Sequence, residues 1–154
     1  MKKILSIIIL SILITSCGFK KINKIDGLSI YIEKINIIGD KRIGYILKNN
    51  ILLISTEGSN HKYDIDIKLK NIRTSKIKDM AGRTTRFNET INVNLILKNA
   101  KNSEKLVKFF SKNRDYDVDK SHTVTIRNQK NSIKNIIQQL SDEITNFIIL
   151  SIRY

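Results

Sequence analysis

The chain has 154 residues with a formal net charge of +14, a single cysteine, and neither proline nor tryptophan. This length supports one domain with a modest core, and one cysteine excludes an internal disulfide. The charge favours an anionic partner such as phosphorylated lipid, a membrane surface or nucleic acid. The abundance of Ile, Lys and Asn is also typical of an AT-rich genome, which explains the lysine excess without any partner, so arginine is the better indicator of a site.

The first 17 residues have the organisation of a secretion signal. Two lysines precede an apolar stretch, residues 4–14, that is too short to span a bilayer. Ile14-Thr15-Ser16-Cys17 then resembles the bacterial lipobox, in which the cysteine thiol is acylated and becomes the mature N-terminus. We therefore predict a signal peptide over residues 1–16 and a lipid anchor at Cys17, whereas the alternative is a secreted protein with a chance cysteine. Gly18 in place of aspartate matches the outer-membrane sorting pattern of enteric bacteria.

The mature chain begins with a polar tether and a strand-helix unit. Cleavage removes the two leading lysines, so the charge falls by two to +12. Residues 17–27 are weakly patterned and predict the lipidated tether, and residues 28–37 have strand composition. Gly39-Asp40 then predicts a turn and a helix N-cap. The following amphipathic helix carries its apolar residues at three- and four-residue spacing: Ile43, Ile46, Leu47, Ile51 and Ile54.

The rest of the chain predicts three strands and a final helix. Residues 63–70 and 86–97 alternate apolar and polar side chains around a turn at 79–83, which indicates a long antiparallel hairpin. A turn at 99–103 leads into a fourth strand over 106–118. The last helix begins between Ser121 and Ser132, and its apolar stripe is Ile133, Ile136, Ile137, Leu140, Ile144, Phe147 and Ile148.

These elements predict an α+β fold of order β-α-β-β-β-α. Each helix has one apolar stripe and the middle strands have one apolar face, so both helices are expected to pack on one face of a four-stranded mixed sheet. Residues 28–154 then form a single domain.

The residue types that carry catalysis are not arranged for it. His61 and His122 are far apart, and neither has a second ligand at metal-binding spacing. Asp115–Asp119 is similar to the first half of a calcium loop but lacks its glycine and glutamate. Ser75-Lys76-Ile77-Lys78 matches Ser-x-x-Lys without the remaining motifs of penicillin-interacting enzymes. We therefore expect a protein that is not an enzyme and has no cofactor or metal.

The hairpin turn is the best candidate for a binding site. Its cations are Arg73, Lys76 and Lys78 before the turn, and Arg83 and Arg86 after it. A hairpin brings them into one region, where arginine forks and lysines suit phosphate. The alternative, to which we give equal weight, is a charged turn that stays in water and discourages edge-to-edge pairing of strands. Export and the absence of an aromatic stacking platform disfavour nucleic acid.

Several short motifs together resemble a known family. They are Cys17-Gly18-Phe19, the strand-helix opening, the segment from Asp79 to Phe87 that contains Gly-Arg-Thr-Thr-Arg, and the closing strand with Phe109-Phe110-Ser111 and Asp115-Tyr116. The chain is similar in these features to the lipopolysaccharide-assembly lipoprotein LptE of α-proteobacteria. The resemblance extends over the mature chain.

The resemblance implies a fold, a location and partners. It implies two helices on a four-stranded sheet, and a plug inside the outer-membrane β-barrel LptD. The protein would be anchored at the periplasmic face of the outer membrane and assist barrel assembly and lipopolysaccharide transport. Arg83 and Arg86 would contact lipopolysaccharide phosphates, supported by Arg73, Lys76 and Lys78, with Cys17 holding them near that partner. The alternative is a free-standing periplasmic lipoprotein that binds lipid or an envelope polymer.

Overall fold

The computed structural model describes residues 30–102 and 104–153, so the signal peptide, Cys17, the tether and the first two residues of the predicted domain lie outside it. The described elements confirm the predicted order. They are β1 (Tyr31–Ile38), α1 (Lys41–Leu52), β2 (Lys62–Lys78), β3 (Thr84–Asn99), β4 (Lys105–Asp117) and α2 (His122–Arg153).

The four strands form one sheet in the order β1-β2-β3-β4. β1 pairs with β2 in parallel, and the other neighbours are antiparallel, so the sheet is mixed as predicted. The parallel pair is possible because α1 crosses back between β1 and β2. A bulge between Ser75 and Ile77 shifts the register of the hairpin just before its turn.

Both helices cover the same face of the sheet. Alternating side chains of β2 and β3 point to that face and are buried: Ile65, Ile67, Leu69, Ile91, Val93, Leu95 and Leu97. The stripe of α2 packs against them, with Ile136, Leu140, Ile144 and Ile148 almost fully buried. The predicted two-layer α+β architecture is therefore confirmed, and its opposite sheet face is left uncovered by the described elements.

The first helix begins where the sequence predicts it. The Asp40 side chain accepts hydrogen bonds from the backbone N–H groups of Arg42 and Ile43, both at 3.0 Å. Gly39 has φ +128°, and a Cβ there would lie 2.0 Å from the Leu69 carbonyl oxygen. Only glycine allows this close approach of the turn to β2.

The apolar stripe of α1 is narrower than its sequence suggests. Ile43, Leu47 and Ile51 are buried at a spacing of four residues, but Ile46 is 42% exposed. The expectation that Ile46 faces the core is wrong, because α1 lies over the β1 edge of the sheet and contacts it along one line. Ile54 packs against the core from beyond the end of the helix.

The second helix begins at the early limit of the predicted range, at His122. Asp119 accepts a hydrogen bond from the N–H of Ser121 at 2.8 Å, and the Thr125 hydroxyl accepts one from the N–H of Asp119 at 2.9 Å. These local bonds hold the first turn despite the low helix propensity of its threonine and valine residues. No helix in the described ranges is both long and apolar enough to cross a membrane.

The fold separates two ends of the sheet. β1, β2 and β4 begin at one end, where Ile30 bridges Ser55 and the tether joins. The hairpin turn lies at the other end, about 50 Å away for a strand of 17 residues. We call these the anchor end and the turn end.

Candidate functional site

The predicted basic turn is built around one carboxylate. The Asp79 side chain accepts hydrogen bonds from the backbone N–H groups of Ala81 at 3.0 Å and Arg83 at 2.9 Å. It also accepts one from Arg83 Nε at 2.8 Å. The backbone bond from Arg83, with the other donors, lowers the pKa of Asp79 against a smaller opposing effect of burial. Gly82 completes the turn with φ +79°.

The turn leaves two side chains strongly exposed. The Arg83 side chain is 81% exposed although it bonds Asp79, and Met80 is fully exposed at the apex. An arginine carries five N–H donors, and its bond to Asp79 uses one of them. Arg83 can therefore present further donors to an anion beyond the end of the sheet.

Two other predicted cations meet acidic residues of β4. Arg86 Nε donates to Asp117 Oδ1 at 2.6 Å, and this bond raises the pKa of Arg86. Lys76 Nζ donates to Asp115, which also accepts a bond from the Asn88 side chain at 2.7 Å. The bond from Lys76, followed by the bond from Asn88, lowers the pKa of Asp115. These pairs lie on the uncovered face and neutralise each other's charge.

Arg73 lies apart from the other cations, on the helix-covered face of the sheet. Its guanidinium is 3.8 Å from the centre of the Phe87 ring and 6.0 Å from that of Tyr116. The two rings are themselves stacked at 5.7 Å. Arg73 therefore caps an aromatic pair by a cation–π contact and does not line the turn.

A buried polar group lies beside Arg73. Glu89 is 1% exposed and accepts a hydrogen bond from the Asn71 side chain at 2.9 Å. Its other oxygen, Oδ1 of Asn71 and the Tyr116 hydroxyl are buried without a hydrogen-bond partner among the described residues. This group was not identified from the sequence. A signal was present, because Glu89 is the one acidic residue among the alternating β3 positions that face the helices.

The structure thus arranges the five predicted cations differently from a single basic cluster. Lys76 and Arg86 lie together on the uncovered face, Arg83 and Lys78 belong to the turn region, and Arg73 lies on the opposite face. Asp79, Asp115 and Asp117 lie among these cations and reduce their charge excess from five to two. The β4 aspartates were visible in sequence, but only the strand register places them beside the turn.

The position of the turn also modifies the expected role of the anchor. Cys17 lies outside the described residues, but the domain begins at the anchor end, and Arg83 lies at the turn end. Arg83 and Arg86 therefore lie toward the end of the domain that is farther from the predicted anchor. The residues in the described part of the chain include no cluster of three His, Cys, Asp or Glu side chains that could hold a metal ion.

Comparison with known proteins finds this fold in bacterial lipoproteins. Rare lipoprotein B from Shewanella oneidensis aligns with a TM-score of 0.59 and 13% identity over 77% of this chain and 95% of its own. A Caulobacter crescentus protein described as a lipoprotein gives 0.58 and 17% over 77% and 90%. Lipoprotein B from Nitrosomonas europaea gives 0.53 and 17% over 78% and 84%. At these identities the similarity establishes the shared fold.

Sequence comparison adds nothing to this structural similarity. No protein-family model matches the chain, and no curated protein matches it significantly. Two of the alignments cover 77% of this chain and at least 90% of the other protein, so the fold is shared over most of the described domain.

Proposed function

We propose that this chain is a lipoprotein of the LptE kind, anchored by Cys17 at the periplasmic face of the outer membrane. It would assist assembly of the LptD barrel, occupy its interior as a plug, and support lipopolysaccharide transport without catalysing a reaction. The observation that carries the proposal is the match of the whole domain to rare lipoprotein B, which is the name of an LptE homologue. The lipobox-like Ile14-Thr15-Ser16-Cys17 supports the anchor independently.

The assembly role predicts a clear defect when the protein is depleted. LptD should then misassemble, and lipopolysaccharide should remain on the periplasmic side of the outer membrane. Heat-modifiable migration of LptD reports barrel folding, and surface labelling reports lipopolysaccharide display. Normal LptD folding and normal display after depletion would reject the proposal.

Co-purification separates this role from the alternative of a free-standing lipid- or polymer-binding lipoprotein. Capture of a large outer-membrane barrel in a one-to-one ratio supports the LptE role. A monomer that carries lipid and no barrel supports the alternative. Replacement of Cys17 by Ser tests the anchor alone, because the variant should lose its acyl mass and fractionate with soluble periplasmic proteins.

The lipopolysaccharide contact is the finer part of the proposal. Arg83 is its strongest candidate because its side chain is exposed and its guanidinium bonds Asp79 through Nε, which leaves the other guanidinium donors for an anion. Arg86 would have to share its guanidinium between a phosphate and Asp117. Lys78 adds point charge beside the turn, and Lys76 and Arg73 are committed to Asp115 and Phe87.

The test is a double charge reversal, Arg83→Glu with Arg86→Glu. It should weaken lipopolysaccharide binding and reduce the salt dependence of the remaining binding, because two phosphate-directed charges are lost. Lys130→Glu with Lys134→Glu is the matched control, since both lysines are exposed on α2 and the change in net charge is the same. An equal loss in both variants would assign the effect to net charge and move the contact away from the turn.

A further inference from the structure

The uncovered face of the sheet has a second surface, at the anchor end. Register places Ile38, Val107 and Phe109 on this face, and they are 57%, 64% and 61% exposed. Phe109 and Ile38 lie in one row across the four strands, and Val107 lies one row nearer the anchor end. No element of residues 30–102 or 104–153 packs on them. Val107 and Phe109 are neighbours on β4, and Ile38 lies on the opposite edge strand, β1. Exposed large apolar groups at both edges of this end of the face indicate a contact surface.

Lysines surround these apolar side chains. The rows that contain them and their neighbours carry five lysines on the same face: Lys34, Lys68, Lys70, Lys98 and Lys105. Two aspartates, Asp64 and Asp66, lie among them, and Lys98 bonds Asp66. Even with Glu33 of the β1 bulge counted, this surface is cationic. At the turn end of the same face, by contrast, Lys76 and Arg86 are matched by Asp115 and Asp117.

The predicted anchor enters the domain beside this surface. Twelve residues, 18–29, separate Cys17 from Ile30, and fully extended they reach about 40 Å. Val107 and Phe109 lie about 15 to 20 Å along the strands from the anchor end. The tether is therefore long enough for this face to lie on the membrane that holds the acyl chains.

We propose that the anchor-end surface, formed by Ile38, Val107 and Phe109 with the five surrounding lysines, docks on an anionic lipid surface. The lysines contact lipid phosphates, and the three apolar side chains enter the interfacial region, the combination that interfacial membrane binding requires. This inference rests on the lipid anchor of the proposed function but on neither LptD nor lipopolysaccharide. It describes the anchored domain outside a barrel: there the uncovered face lies toward the bilayer and the turn points away from it.

The test uses the lipidated protein reconstituted in vesicles. Because the only native thiol is the predicted acylation site, Val107→Cys introduces one labelling position for an environment-sensitive fluorophore. Thr74→Cys is the matched control, since it is exposed on the same face about 25 Å from Val107 toward the turn end. In phosphatidylglycerol-containing vesicles the label at 107 should shift to the blue and lose iodide quenching, and the label at 74 should remain quenched.

Three results would overturn the proposal. Equal iodide quenching at both positions in anionic vesicles shows that the surface stays in water. Protection at 107 in purely zwitterionic vesicles shows that residues 18–29 or another part of the protein covers it. Protection that appears only when a protein partner is added assigns the surface to that partner.

Charge and apolar variants complete the test. Lys68→Glu with Lys70→Glu, and separately Phe109→Ser, should restore quenching of the label at 107 in anionic vesicles. Lys130→Glu with Lys134→Glu should leave the protection unchanged, because those lysines are on α2. The acyl mass of each protein is measured first, so loss of the anchor is detected separately from loss of docking.

Discussion

The buried Glu89 allows a direct test of how much stability the protein loses through buried polar atoms that lack a hydrogen-bond partner. Glu89 lies in the inner strand β3 and has one hydrogen bond from the described residues, donated by the Asn71 side chain. Within the part of the chain that the structure describes, its second oxygen and the Asn71 Oδ1 atom are both buried acceptors without a donor. A buried acceptor left without a donor costs about 1–3 kcal/mol of stability. The pair is therefore a local weakness at the point where the apolar core gives way to the turn end.

Glu89→Gln should stabilise the protein. The side-chain NH₂ of the glutamine replaces Glu89 Oε2, the carboxylate oxygen without a donor, and can donate to Asn71 Oδ1. The remaining glutamine oxygen keeps the hydrogen bond from the Asn71 side chain. We expect the free energy of unfolding to rise by about 1–2 kcal/mol. The corresponding increase in Tm is roughly 4–8 °C for a domain of this size. Urea denaturation followed by circular dichroism measures the first, and a thermal scan measures the second.

Glu89→Leu is the control for burial alone. It removes both carboxyl oxygens but leaves the Asn71 N–H without its acceptor, so it should gain less than Glu89→Gln. Destabilisation by Glu89→Gln of more than about 1 kcal/mol would refute the reasoning. It would mean that the carboxyl forms an ion pair with Arg73 or Arg114, the residues opposite it in the register.

Three further predictions concern the turns, the helix cap and acid. Gly39→Ala should destabilise the protein by at least about 2 kcal/mol in urea denaturation, because a Cβ there would lie 2.0 Å from a backbone carbonyl oxygen. Gly82→Ala is the control: Gly82 also has a positive φ but has open space around its Cα, so this variant should cost about 1 kcal/mol. Equal costs for the two variants would contradict the steric argument. Asp40→Ala should cost about 1 kcal/mol through loss of the cap, whereas Asp40→Asn should retain most of the stability. The folded pKa of Asp115 is lowered, so its contribution is complete above the ordinary value of 3.8 and is lost as the pH falls through the lower folded value. The hydrogen-exchange protection factors around Lys76, which are corrected for the intrinsic rate at each pH, should then fall in acid. An identical acid response in Asp115→Asn would exclude this carboxylate as the cause.

The sequence was sufficient for most of the fold. Alternation in residues 63–70 and 86–97 predicted both buried strand faces, since a sheet with one covered face enforces a period of two. The Gly39-Asp40 signal located the start of α1 because capping is a local interaction. Ile46 shows the limit of periodicity: a helix at the edge of a sheet buries a narrower stripe than its sequence offers.

The candidate site was less predictable than the fold. The sequence identified the five cations around the turn, but their net charge as a group depends on Asp115 and Asp117. These aspartates lie 39 and 31 residues from the cations they pair with, Lys76 and Arg86. Their proximity follows from the register of β3 with β4. A one-residue change of that register would place both aspartates on the helix-covered face.

Local patterns therefore determined the helices and strands and their order, and they led to the prediction that the chain is exported and anchored by lipid at Cys17. They could do so because capping, alternation and signal motifs act within a few residues. Tertiary structure decided which charges meet: it paired Lys76 and Arg86 with aspartates, placed Arg73 on an aromatic pair, and left the cationic, apolar surface around Phe109 uncovered. These outcomes depend on contacts between distant segments, whose register and facing are set only when the sheet is assembled against both helices.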